Sequence, residues 1–122
     1  MKKIKNSVVL SLLLVFTLTI SAFELNSPLP TSLRITIIDE LGNPVEGASV
    51  QLYATDEDYR AETNPVSEAQ LTDKKGKTTF KKLESIIYFV NAEKGDKNND
   101  GAGVQTDTLK TGLLNKVNIV IE

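Results

Sequence analysis

Cysteine, histidine and tryptophan are absent from this 122-residue sequence, and aromatic residues make up only 6% of it. Without histidine there is no Ser/His/Asp or Cys/His arrangement, no imidazole base titrating near neutrality and no His-ligated zinc. Without cysteine there is no disulfide, no thiolate nucleophile, no zinc ribbon and no iron-sulfur cluster. What remains for chemistry is carboxylates, hydroxyls, lysines and oxygen-bound cations. Neither sign of charge dominates: 14 Lys plus Arg stand against 16 Asp plus Glu, a formal charge of -2. The length fits one small domain.

Only one long apolar run is present. Lys2, Lys3 and Lys5 precede Val8 to Ile20, which is interrupted by Ser11, Thr17 and Thr19 and followed by the small residues Ser21 and Ala22. The run falls short of the roughly 20 apolar residues of a stable span, and the order of basic start, apolar middle and small exit is that of a secretory signal peptide. Residues 1–22 are therefore expected to be cleaved after Ala22; an uncleaved membrane or amphipathic helix is the competing reading. No cysteine follows the run, so neither a lipid anchor nor any stable membrane anchor is expected after cleavage, and the destination is secreted or periplasmic. Loss of three lysines takes the basic count from 14 to 11 against 16 acids, or -5. Nucleic acid is not an expected partner at that charge, and Lys74, Lys75, Lys77, Lys81 and Lys82 read as a solvated turn and strand face. An exported domain without disulfides relies on its core alone, and at this size roughly 60 to 70% of the unfolded surface can be buried.

Residues 23–32 hold Pro28 and Pro30 and no periodicity, and read as a linker. From Leu33 onward the pattern is that of strands. Leu33, Ile35 and Ile37 alternate with Arg34 and Thr36, which puts the apolar side chains on one face. Asp39 to Gly47 is a turn; Ala48, Val50 and Leu52 define a second strand; Thr55 to Pro65 is a polar, acidic loop. Val66 to Thr72 reads as a short strand joined by a hairpin-type turn, Asp73 to Gly76, to Lys77 to Lys81, with Thr78 and Phe80 inward. Ile86 to Ala92 is apolar on both parities and belongs at the centre of a sheet covered on both sides. Glu93 to Gly103 is loop, Val104 to Thr108 a short strand, Lys110 to Asn115 a turn, and Lys116 to Glu122 a last strand with Val117, Ile119 and Ile121 on one face. No helical period is sustained. The fold class expected is all-β, a seven-stranded Greek-key β-sandwich over residues 33–122.

The stretch DELGNPVEGASVQLY, Asp39 to Tyr53, with TDKKGKTTFKKL, Thr72 to Leu83, and IYFVNAEKG, Ile87 to Gly95, resembles the carboxypeptidase regulatory-like domain family, whose members are transthyretin-like or prealbumin-like β-sandwiches. The resemblance implies an accessory, structural or binding element, since the carboxypeptidase chemistry of that name belongs to a separate zinc domain. Related sandwiches form a Lys-Asn crosslink between first and last strands; here the first strand offers Arg34 and no lysine, so that bond is not carried over.

Two loops carry candidate sites. DKNNDGAGVQTD, Asp96 to Asp107, satisfies D-x-N-x-D-G with an acid at position twelve, and would offer calcium Asp96, Asn98, Asp100, the carbonyl of Ala102, and Asp107. Against this stand strand-like flanks, Gly103 where an apolar anchor is usual, and the short Asp107; a plain interstrand loop would use the same residues. Calcium is the one cofactor the sequence suggests. The second candidate is Asp56, Glu57, Asp58, Tyr59 and Arg60, where an aromatic and an arginine on an exposed loop are residue types enriched at interfaces. Its alternative is a solvated loop with Tyr59 folded back on the sandwich edge. Catalysis is not expected: carboxylate pairs such as Asp56 with Asp58 occur in any chain this acidic, no serine has a histidine partner, and a sandwich this small has little room for a substrate pocket. The reading is an exported, non-catalytic structural or binding module for a protein or glycan partner. Its alternatives are a calcium-stabilised module and a small hydrolase. Exposed strand edges add pairing with a partner strand.

Overall fold

The computed structural model describes residues 29–122; the expected leader 1–22 and most of the linker lie outside the described residues. Seven strands and one helix are described: β1 (Ser32–Ile38), β2 (Ser49–Tyr53), α1 (Asp56–Ala61), β3 (Gln70–Leu71), β4 (Lys77–Phe80), β5 (Phe89–Lys94), β6 (Lys97–Asn98) and β7 (Leu114–Val120). They form two sheets, β4-β1-β7 and β3-β2-β5-β6, facing each other as the expected sandwich.

The period-two pattern of β1 decides the first sheet. Leu33, Ile35 and Ile37 are buried against the second sheet, and the strand is flanked by β4 antiparallel and β7 parallel. The parallel pairing joins the first and last of the described strands, so the sheet closes only when Ser32–Ile38 and Leu114–Val120 are both in place. Phe80, Ile119 and Ile121 complete this side of the core. Val50 and Leu52 of β2, Val90 and Ala92 of β5, with Ala48, Tyr88 and Leu109, form the other side. Among the described residues every buried side-chain nitrogen and oxygen has a hydrogen-bond partner.

Several expectations shift. The linker ends earlier than residue 32: Thr31 is buried, its hydroxyl accepting from Gly112 N–H (2.9 Å) and its carbonyl from Leu83 N–H (2.9 Å). The strand expected over Val66 to Thr72 is only β3, because residues 66–69 lie exposed on the surface and are tethered by Gln51, whose amide donates to Ser67 C=O (2.5 Å). The turn Asp73 to Gly76 makes no hairpin, since β3 and β4 belong to different sheets. The central strand begins at Phe89, not Ile86, and runs on to Lys94, where it pairs with β6 inside the expected loop. Val104 to Thr108 is no strand but a single bridge, Phe89 to Gln105.

Two turns share one construction. Asp39 accepts through Oδ1 from the N–H of Leu41 (3.0 Å) and Asn43 (2.9 Å), and Asp73 in the same way from Lys75 and Lys77 (both 2.9 Å). Gly42 and Gly76 stand at the fourth position with φ of 87° and 74°. The N–H of Asn43 holds the Asp39 carboxyl below its ordinary 3.8, and that of Lys77 does the same for Asp73, with smaller help from the other turn N–H and nearby lysines. A carboxyl lowered in the folded state contributes stability above its unfolded pKa and loses it as pH falls through the folded value. Urea midpoints should therefore fall on acidification below about pH 4. The Asp39→Asn, Asp73→Asn double variant, which keeps the accepting oxygens, should show a shallower acid slope; an unchanged slope would mean the turns do not carry it.

Candidate binding site on the helix-covered sheet face

The acidic segment after β2 is a helix, not the loop read from sequence. Thr55 caps it, Oγ1 accepting from Asp58 N–H (3.1 Å), and Asp56, Glu57 and Asp58 place negative charge in the first turn, where the helix dipole favours it. Arg60 pairs with Asp56 one turn back at 2.8 Å, an exposed contact of little energetic weight. Glu62 ends the helix in the left-handed conformation at φ 55°. Asp58 then fastens the following turn, its Oδ1 accepting from the Thr63 hydroxyl (3.2 Å) and the Asn64 amide (3.3 Å).

No residue of α1 is fully buried; the helix is held on the sheet by Tyr59. Its ring meets Tyr53 edge-on at 6.0 Å and lies 6.4 Å from Phe89, so an aromatic trio from α1, β2 and β5 covers the outer face of the second sheet. The Tyr59 hydroxyl donates to Asp100 Oδ1 at 3.3 Å. Burial, then the Asp100 carboxylate, push this phenol above its ordinary 10.0, and burial followed by Glu62 and Glu93 does the same for Tyr53. Because the folded pKa is raised, the proton that Tyr59 donates is kept at neutral pH and the contact is lost as pH rises through that value. Tyr59→Phe should keep α1 docked, whereas Tyr59→Ala should release it. Hydrogen exchange at Tyr59 and Glu62 N–H distinguishes the two, and equal protection in both variants would contradict this latch.

Beside the latch lies a hollow of about 200 Å³. Tyr59, Arg60 and Glu62 come from α1 and its cap, Asn91 and Glu93 from the outward positions of β5, Asn98 from the end of β6 and Asp100 from the turn after it. A second hollow of about 290 Å³ continues over Ser49, Gln51 and Tyr53 and shares Glu62, Asn91 and Glu93. Carboxylates, side-chain amides and an aromatic edge on one surface suit hydroxyl-rich or cationic groups.

Of the acidic-segment residues singled out from sequence, Tyr59 and Arg60 reach the hollow, Asp56 is spent on Arg60, Asp58 on the turn, and Glu57 faces solvent. Of the calcium candidates only Asn98 and Asp100 are brought together, the Asn98 side chain accepting from Asp100 N–H (3.0 Å). Asp96 lines another hollow with Asp39 and Lys97, Asp107 lines a third beside β7, and Ala102 is exposed with its N–H on Asn99 C=O (3.1 Å). Among the described residues no three acidic side chains gather closely enough to hold a metal ion.

Sequence reasoning missed Asn91 and Glu93, although alternate positions after Phe89 were there to be read. It also missed Asn99, which is fully buried. Its Oδ1 accepts from Ala92 N–H (3.0 Å) and its Nδ2 donates to the carbonyls of Val90 (2.9 Å) and Gly103 (3.2 Å). With Val104 C=O on Val90 N–H (2.6 Å) and Thr106 bound to both backbone polar groups of Tyr88, this segment covers the β5 edge in place of a strand. The hollow beside β7, an open groove of about 540 Å³, offers more space than the little room expected for a substrate pocket.

No protein-family model matches the sequence, and no curated protein matches it. Solved structures do resemble it. A streptococcal ancillary pilin superposes with a TM-score of 0.57 at 18% identity, covering 76% of this chain and 32% of that one. The likeness is of fold. It supports the β-sandwich, and the chain spans about a third of that pilin. BcpA, the major pilin subunit of Bacillus cereus (TM-score 0.48, 15% identity, 78% of this chain and 30% of that one), and a hydroxyquinol 1,2-dioxygenase of Pseudomonas putida (0.47, 9%, 80% and 58%) fall lower. No helix among the described residues is long and apolar enough to cross a membrane.

Proposed function

We propose that the protein is an exported, non-catalytic binding module of the carboxypeptidase regulatory-like type, and that it meets a protein or glycan partner at the helix-covered sheet face. The observation that carries this reading is the Tyr59 to Asp100 hydrogen bond, which joins the two segments singled out from sequence into one polar hollow. The absence of histidine and cysteine supports a non-catalytic role, and the pilin likeness is compatible with assembly among proteins outside the cell.

The ligand class is set by the lining. Glu62, Glu93 and Asp100 attract cationic side chains, and Gln51, Asn91 and Asn98 can donate to and accept from sugar hydroxyls. Arrays of oligosaccharides and of Lys- or Arg-containing peptides should return ligands whose binding falls about tenfold or more in the Asn91→Ala, Glu93→Gln variant. Both side chains lie on the outer face, so the fold should be unaffected. Ligands bound equally well by the variant would overturn the reading. The same arrays should be left chemically intact, and cleavage of any member would favour the small hydrolase.

Calcium stabilisation would require Asp96, Asp100 and Asp107 to converge from three separate hollows. Millimolar calcium is therefore expected to leave the melting temperature unchanged. A rise that Asp100→Ala abolishes would favour the calcium-stabilised module instead.

A further inference from the structure

The three-stranded sheet ends on β7, and the parity of β7 decides what its outer edge offers. Ser32 N–H donates to Leu113 C=O (3.1 Å) and Ile121 N–H to Ile38 C=O (3.0 Å), so odd-numbered residues of this stretch turn their backbone polar groups toward β1. The even-numbered Leu114, Lys116, Asn118 and Val120 turn theirs outward, where nothing pairs with them among the described residues. One step further on, Glu122 exchanges both backbone hydrogen bonds with Asn98 (3.2 and 2.9 Å), a mutual pair of the antiparallel kind. The edge is thus strand-competent and open over four outward residues. Beside it runs the groove of about 540 Å³, with Leu113 and Leu114 exposed and Val117 half-buried along it.

We propose that this edge is a dimer interface, in which β7 pairs antiparallel with β7 of a second copy and two three-stranded sheets become one of six strands. The second copy is chosen by complementarity. In an antiparallel pair outward residues must face outward residues, so even positions meet even positions. A two-fold axis at Val117 sets Leu114 against the second copy's Val120 and Lys116 against its Asn118, and every outward residue is paired. An axis at Lys116 would set lysine against lysine, a destabilising arrangement. An axis at Asn118 would set Leu114 against Glu122, which Asn98 already holds. Lysine is a residue that blunts edge pairing, and this register limits that effect by setting Lys116 opposite an amide with no second cation across from it. No proline and no acid stands among Leu114 to Val120, and the self-complementary register makes the contact isologous and closed at two copies.

Two substitutions at the exposed Asn118 read the register directly. Asn118→Glu places a carboxylate opposite Lys116 in both halves and should tighten the dimer about tenfold with strong salt dependence; Asn118→Lys should loosen it about tenfold. Sedimentation over a concentration series measures both, and hydrogen exchange at Leu114, Lys116, Asn118 and Val120 should slow as the exported protein is concentrated. A monomer at millimolar concentration would overturn the proposal, as would both variants moving the same way. Protection of the four amides that does not depend on concentration would also overturn it, because the edge would then be filled from within the chain; an array peptide that protects them in a monomer would assign the edge to a different partner.

Discussion

Gly76→Ala should destabilise the protein by about 3 kcal/mol or more, whereas Gly42→Ala should cost only about 1 to 2. Both glycines occupy the same place in turns of the same construction, with φ of 74° and 87°. What separates them is their surroundings. A Cβ at Gly76 would stand 2.5 Å from Ile37 C=O, 3.0 Å from Val45 N and 3.1 Å from Pro44 Cβ, while a Cβ at Gly42 meets nothing within 4 Å. Gly76 C=O also accepts from Ile37 N–H at 2.7 Å, so the turn before β4 is pressed against the turn after β1. The Gly42 penalty is conformational strain alone; the Gly76 penalty adds displacement of backbone that belongs to β1. At roughly 4 to 8 °C per kcal/mol for a domain of this size, the two melting temperatures should differ by about 10 °C. Equal losses would show that the turns are not packed together.

The second large effect is expected at Asn99. Asn99→Ala leaves Ala92 N–H and Val90 C=O without partners in a buried position, at about 1 to 3 kcal/mol each and so about 2 to 6 kcal/mol together. A total stability of about 5 to 15 kcal/mol makes that a large fraction. Asn99→Asp sharpens the assignment. It keeps the acceptor for Ala92 N–H but turns a carboxylate toward the carbonyls of Val90 and Gly103, so its pKa should rise. By linkage such a variant is most stable at low pH and loses stability as pH rises through the raised value, opposite in sign to the Asp39 and Asp73 turns. If Asn99→Asp were indifferent to pH between about 4 and 8, the side chain would not be bridging those carbonyls.

The sandwich was legible where one side-chain period repeats long enough. Leu33, Ile35 and Ile37 in β1, Val50 and Leu52 in β2, Thr78 and Phe80 in β4, Ile119 in β7 and Ile121 just beyond it all point inward as the alternation predicts. The two Asp-turns were legible through Gly42 and Gly76. Pairing order was not, because period two says which face is buried and nothing about which neighbour lies beside the strand. Helix α1 was missed because six residues span less than two turns and bury no stripe. Its local signal was the cap, Thr55 with Asp58 three residues on. Asn99 was missed for a different reason. Its neighbours Asn98, Asp100 and Gly101 have the composition of a solvated loop, and the groups that bury it belong to β5 and are distant in sequence only by a turn, which composition does not weigh.

The candidate site was half legible. Tyr59 and Asp100 were both singled out, but in separate roles, as a partner-binding tip and a calcium ligand. Their meeting across 41 residues depends on α1 folding back over Tyr53 and Phe89, and no local pattern encodes it. Asp100 accepts from the Tyr59 phenol at the rim of a polar hollow, and Asn91 and Glu93 of β5 are part of the same surface.

The most direct test of recognition at that surface is amide chemical-shift mapping on the labelled protein, titrated with the strongest oligosaccharide or basic peptide from the arrays. Shifts concentrated on Tyr59 to Glu62, Asn91 to Glu93 and Asn98 to Asp100, and reduced in the Asn91→Ala, Glu93→Gln variant, are the predicted result. Shifts confined to Leu114 to Val120 and the groove beside them, with the helix-covered face silent, would contradict it.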